Sequence, residues 1–121
     1  MSDIVRFETT DRSSRVVVYN GVVYVGGMTP NEDSGDIKEQ TRQTLERIDK
    51  YLALAGTDKS RLLTAQIWLK DIVNDFKGMN EVWNAWTALG AAPTRATAQC
   101  DMADPDLRVE IIVTAAVGQQ R

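Results

Sequence analysis

The sequence predicts an α+β domain built on a six-stranded sheet with two helices on one face. Three observations carry that prediction. Two runs rich in β-branched residues, 15–20 and 22–28, flank Asn20-Gly21. That dipeptide suits a type I′ hairpin turn, because both central positions need positive φ. Two stretches, about 37–55 and 75–89, repeat apolar residues at helical spacing. The stretch Pro93–Val117, PTRATAQCDMADPDLRVEIIVTAAV, reads as two more strands joined by a polar turn.

Taken in order, residues 3–9 roughly alternate and read as a short edge strand, with Ile4, Arg6 and Glu8 against Val5 and Phe7. A loop at 11–14 leads into the hairpin. Its strands are apolar on successive residues, which predicts burial on both faces. Gly26-Gly27 ends the second of them. Paired glycines there mark either a bulge or a place where a ligand approaches the backbone, and the pattern leaves both open. Residues 29–36, TPNEDSGD, are a loop by composition. Asp36 then caps a helix, with Glu39 three residues on. Ile37, Leu45, Ile48, Leu52 and Ala55 form its apolar stripe, with Thr41 inside, while Glu46 and Lys50 pair on the wet side. Gly56 ends the helix.

Residues 61–69, RLLTAQIWL, read as a strand. A second helix follows over about 75–89, capped by Asn74 or Asp75. Phe76, Met79, Val82, Trp83, Trp86 and Leu89 share its core face, and Asn80 lies off the centre of that stripe, as a surface residue or local cap. Gly90 and Pro93 stop it. The last two strands follow, and the GQQR tail is expected to fray. The order is three strands, helix, strand, helix, two strands. Two helices cover one face only, yet 15–27 and 109–117 look apolar on both. The open face therefore needs a partner, most simply another copy of the chain.

Length places all of 1–121 in one domain. Apolar content of 43% and charged content of 26% are those of a soluble globular protein. A net charge of −3 without a Lys/Arg cluster argues against nucleic acid as a partner. No run could span a bilayer, and the first residues lack the basic and apolar regions of a signal peptide. Cys100 is the one cysteine, so no intrachain disulfide framework is possible and a reducing, cytoplasmic location is expected. There is no histidine. That removes histidine acid–base catalysis, Ser-His-Asp and Cys-His nucleophiles and nearly all zinc and haem sites. No metal is expected, and any catalysis falls to carboxylates, Arg or Lys, hydroxyls, backbone and water.

Two charges interrupt the final strands, Arg95 near the start of one and Glu110 inside the apolar run of the other. A half-buried charge is costly unless paired or used. In a simple hairpin around 101–104 the two would lie opposite each other and form a cross-strand ion pair. Alternatively, Arg95 offers a planar fork for a carboxylate and Glu110 can deprotonate a water. Together those suit a small carboxylic acid attacked by water at the neighbouring carbon. By alternation Cys100 faces away from Arg95, with no histidine to activate it.

Across nearly the whole chain the sequence resembles the RidA/YjgF family of reactive-intermediate deaminases. The resemblance rests on YVGGMTP, on the helix with Gln40, Leu45 and Leu52 followed by AGT, and on LLTAQIWLKDI. It continues through DFKGMNEVWNAW, PTRATAQ and VEIIVTAAV. It implies a mixed six-stranded sheet of the chorismate-mutase-like type, assembled as a homotrimer with sites in clefts between subunits. The implied activity is hydrolysis of 2-imino or enamine acids to 2-oxo acids and ammonia, without metal or organic cofactor. The implied partners are a small 2-imino/2-oxo carboxylic acid and two further copies of the chain, with no nucleic acid or membrane. In that setting Arg95 would bind the substrate carboxylate and Glu110 would activate water. Backbone at Gly27 and around Thr97 would line the cleft, with Asn80 and Trp83 near its mouth. The resemblance also implies that the strand around Thr64–Trp68 lies between the last two strands, so that Arg95 and Glu110 share a cleft without being cross-strand neighbours.

The chain departs from the archetypal pattern. Ser13 or Ser14 stands where a Tyr is usual, Gly26 where a Ser is usual, and Thr97 where a Cys is common. Those departures bear on substrate preference. Two other readings of the same scaffold are a non-catalytic, carboxylate-binding or regulatory trimer and a chorismate-mutase-like enzyme.

Overall fold

The computed structural model describes residues 3–118. Its elements are β1 (Val5–Thr9), β2 (Ser14–Tyr19), β3 (Val22–Met28), α1 (Ile37–Leu54), β4 (Leu62–Leu69), α2 (Ile72–Trp86), β5 (Thr94–Gln99) and β6 (Val109–Ala116), with a short 3₁₀ turn at Lys59–Arg61. Asn20 at φ +50° and Gly21 at φ +81° make the expected tight turn, and Tyr19 pairs with Val22 across it. Three of the four residues of the GQQR tail lie outside the described range.

The strands form one mixed sheet in the order β1-β2-β3-β6-β4-β5. The simple hairpin of the last two strands does not exist. β4 runs parallel to β5 and antiparallel to β6, and so separates them. The reason is topological. A strand, a helix and a strand in succession favour a parallel crossover, and α2 makes one between β4 and β5. β6 then fills the slot between β3 and β4, as the resemblance implied.

Both helices lie on one face and supply its core. From α1 come Leu45, Ile48 and Leu52, from α2 Met79 and Trp83, and from the sheet Val16, Val23, Ile67, Val109, Ile111 and Val113, all buried. Each large aliphatic side chain among them contributes about 1.5–3 kcal/mol. The alternate residues of the same strands, Val17, Tyr19, Val22, Tyr24 and Ile112, are half-buried or exposed on the open face. This is the second apolar face that the unbroken runs predicted.

Helix boundaries are where the sequence misleads. Asp36 caps α1 as expected, accepting from the Glu39 N–H at 2.9 Å. Arg42 reaches both Glu39 and Glu46, so Glu46 pairs there and not with Lys50. For α2 the cap is Asp71, neither Asn74 nor Asp75. Its carboxylate accepts from the Asn74 N–H at 3.2 Å and the Asn74 side-chain amide at 2.8 Å, while Gln99 Oε1 takes the Ile72 N–H at 2.8 Å. Asp75 instead turns inward, buried, against Arg108 at 3.1 Å. The helix ends at Trp86, and Leu89, assigned to its core stripe, is fully exposed beyond it.

Candidate active site

Arg95 points to the helix-covered face. Its cross-strand neighbour is buried Ala65, and its guanidinium is held by residues of α2. Nη1 donates to Asn80 Oδ1 at 2.8 Å. The guanidinium carbon lies 5.7 Å from the Trp83 ring centroid and 6.0 Å from that of Phe76. Aromatic faces hold a cation in place without neutralising it. Partial burial pushes the Arg95 pKa down from its ordinary value. The group stays protonated all the same, since arginine starts so high. No carboxylate among the described residues pairs with it.

Thr97 sits two residues on, on the same face, and its buried hydroxyl has no hydrogen-bond partner among the described residues. An orphaned buried hydroxyl costs roughly 1–3 kcal/mol unless something binds it. Asn80 is therefore neither a plain surface residue nor a cap, and Trp83 is at once core and rest for the arginine. Phe76 was read from the sequence as core, but it is exposed on α2 and rests against the arginine instead. The signal for more was present, because Phe76, Asn80 and Trp83 recur at helical spacing on one side of α2.

Glu110 lies on the other face. It alternates with buried Val109 and Ile111, and its neighbour in β4 is Trp68, itself between buried Ile67 and Leu69. Its carboxylate rests directly on Gly27. A Cβ there would collide with Glu110 Oε2 and stand 3.1 Å from the carboxyl carbon. The β3–β6 register shifts between Val25 and Met28. Gly26-Gly27 is thus both a bulge and a floor for the Glu110 side chain. Burial pushes the Glu110 carboxyl above its ordinary range, and no cation among the described residues pairs with it.

The six site residues expected from the sequence therefore fall into two groups. Arg95, Asn80, Thr97 and Trp83 gather at the β5 edge under α2. Glu110 and Gly27 gather on the open face. The cross-strand ion pair is excluded, since the two charges lie on opposite faces with β4 between them. Each group carries one charge without an ion pair among the described residues.

Two other clusters can be set beside this one. A cavity of about 600 Å³ opens among Gly35, Lys70, Gln99 and Arg108. Its cations are already held, Lys70 by Asp101 and Arg108 by Asp75. Asp33, Asp104 and Asp106 bring carboxylate oxygens within 4.8 Å of one another, but all three are exposed and nothing else points to a cation there.

Comparison with known proteins is consistent along the whole chain. The family model described as Endoribonuclease L-PSP matches residues 4–117. A RutC family protein of Haemophilus ducreyi is 44% identical over 117 residues, covering 97% of this chain and 99% of its own. The RutC family protein YoaB of Escherichia coli is 44% identical over 114 residues, covering 94% and 98%. Among solved structures, a member of the YjgF protein family from Neisseria meningitidis superposes with a TM-score of 0.94 at 42% identity, covering 98% of each chain.

Proposed function

The chain belongs to the RidA/YjgF family, and on that premise we propose that it hydrolyses reactive 2-imino acids, with their enamine tautomers, to 2-oxo acids and ammonia. The observation that carries this reading is the pair of uncompensated charges. Arg95 is held by an amide and two aromatic rings but by no carboxylate. Glu110 is partly buried with no cation paired to it among the described residues. A substrate carboxylate and a water supply what the two lack.

The chemistry needs no more. The Arg95 fork takes the substrate carboxylate through parallel N–H bonds. Glu110 takes a proton from a water as the water oxygen bonds to C2. That proton passes to the imine nitrogen and gives a carbinolamine; its hydroxyl proton then moves to the same nitrogen, with Glu110 as relay, as the C2–N bond breaks, and ammonia leaves the 2-oxo acid. Imine hydrolysis is already facile in water, so orientation and a placed base supply a sufficient reduction of the barrier. Because the half-sites face opposite sides of one sheet, a complete site takes Arg95 from one copy and Glu110 from the next, in a homotrimer closed over the open faces.

The test generates 2-iminopropanoate in situ and follows 2-oxo acid formation with and without the protein. Wild type should accelerate it and Arg95→Ala should not. If the wild-type protein binds 2-oxo acids yet accelerates nothing, the non-catalytic carboxylate-binding reading replaces this one.

A further inference from the structure

A second arginine stands on the face that carries Glu110, and its natural partner has been taken away. In the β1–β2 ladder Phe7 pairs with Val16 and Thr9 with Ser14, which sets Glu8 across from Arg15. Val16 is buried on the helix side, so Arg15 belongs to the open face with Val17 and Tyr19. Regular alternation would put Glu8 there too, as the cross-strand counter-ion of Arg15. Instead Glu8 takes φ +49°, a conformation that glutamate adopts only at a cost, and its carboxylate reaches the hydroxyl of Tyr51 on α1 at 2.9 Å. Tyr51 is buried among the helix-side residues. The backbone is thus strained in a way that leaves Arg15 exposed and without an ion pair among the described residues. Strain of this kind concentrates at functional sites.

The position of Arg15 relative to Glu110 is set within one copy. Gly26, across from Arg15, has the carbonyl oxygen of Arg15 3.5 Å from where its Cβ would be, and Gly27 carries the Glu110 carboxylate. Arg15 and Glu110 therefore lie on the same face with β3 between them and Glu110 two residues further along, on the order of 12 Å between backbones. A guanidinium on its long stem and a small ligand span that gap. The glycine pair keeps the ground between them clear of side chains.

We propose that Arg15 binds a second acidic group of the substrate, so that the preferred substrates are dicarboxylic 2-imino acids. This rests on the hydrolytic reading above. Arg95 holds the carboxylate next to the imine carbon, Glu110 delivers water to that carbon, and Arg15 holds the carboxylate at the end of the side chain. Arg15 acts as a specificity residue and takes no part in proton transfer.

The experiment compares 2-iminosuccinate with 2-iminopropanoate, each generated in situ by an amino-acid oxidase, with semicarbazide trapping as a competing clock. Wild type should favour the dicarboxylic imine by at least about tenfold in kcat/KM, as expected when a site built for a polar group meets an analogue that lacks it. Arg15→Ala should bring that ratio close to one, and Arg15→Lys should restore part of it. Arg12→Ala, at an exposed neighbour, should leave the ratio unchanged. Acceleration of both imines at a ratio near one, or a preference that survives Arg15→Ala, overturns the role of Arg15 while the hydrolytic reading stands. Acceleration of neither imine overturns the hydrolytic reading and this one with it.

Discussion

Gly27 is occupied by another residue's side chain, which makes it a sharp probe of Glu110. A methyl group at position 27 would collide with the far end of the Glu110 side chain, with no backbone or core atom among its near contacts. The flexible carboxylate can swing away, so Gly27→Ala should leave the unfolding free energy within about 1 kcal/mol of wild type while lowering kcat by about tenfold or more. That magnitude follows from the sensitivity of catalysis to a misplaced group. Loss of stability and rate together would mean that Gly27 serves the bulge alone. Glu110 itself predicts a pH dependence. Its carboxyl is raised above the ordinary 4.5 by burial, and a general base works only when ionised. In the substrate complex the bound carboxylate offsets Arg95, so the acid limb of kcat should lie above 4.5. Stability should move the opposite way. A raised folded-state pKa means that the folded chain binds the proton more tightly than the unfolded chain. Ionising Glu110 therefore opposes folding, fully so above the folded pKa and not at all below the unfolded one. Glu110→Gln should be slightly more stable than wild type at pH 7, with the difference vanishing as the pH falls below the ordinary carboxyl range. A variant less stable at pH 7 would show that the carboxylate has a structural partner.

At the scale of elements, β6 is placed by a residue that helical periodicity treats as a wet position. Gln40 is completely buried in α1. Its amide donates to the carbonyls of Asp33, Gly35 and Asp106 at 3.1, 3.2 and 3.0 Å, and its Oε1 accepts from the Arg108 N–H at 2.7 Å. One side chain thus ties the 29–36 loop, the 100–108 loop and the start of β6, two residues before Glu110. Gln40→Ala leaves an N–H and three carbonyls without their partner. It should cost about 3 kcal/mol, read as a lower urea midpoint at unchanged slope. A loss below about 1 kcal/mol would mean that water replaces the amide without penalty. Gln40 also marks the boundary of what was legible beforehand. The strands, the Asn20-Gly21 turn and both helices could be read because period and turn chemistry are local. The hub at Gln40, the inward turn of Asp75 toward Arg108 and the capping of α2 by Asp71 depend on partners far along the chain. Phe76 was misread as core, since an exposed aromatic beneath an arginine and an aromatic in a core have the same sequence pattern. The pairing order of β4, β5 and β6 was not readable from periodicity at all. Alternation assigns faces within a strand and says nothing of which strand lies beside it.

For the whole molecule, the division of Arg95 and Glu110 between two faces makes a prediction about mixtures. A chain that is Arg95→Ala keeps a sound Glu110 half-site, and one that is Glu110→Gln keeps a sound Arg95 half-site. Each variant alone should be inactive. In a ring whose sites join one copy's β5 edge to the next copy's open face, random mixed assembly restores some sites. A site is sound when an intact Arg95 meets an intact Glu110. At equal amounts each condition holds for half of the copies, so about a quarter of wild-type activity should return. The half-buried and exposed side chains of the open face, Val17, Tyr19, Tyr24 and Ile112 among them, supply the apolar area that would hold such a ring together. Mixing should be done by dissociating the two variants together at low denaturant and removing it, with each variant carried through the same cycle alone. Sedimentation velocity would report whether the assembly reforms. Full reassembly with no recovered activity would mean that Arg95 and Glu110 must come from one copy. That would require the chain to bring the two faces of its own sheet to one substrate, which β4 between them forbids. The mechanism would then have to assign water activation to a group other than Glu110.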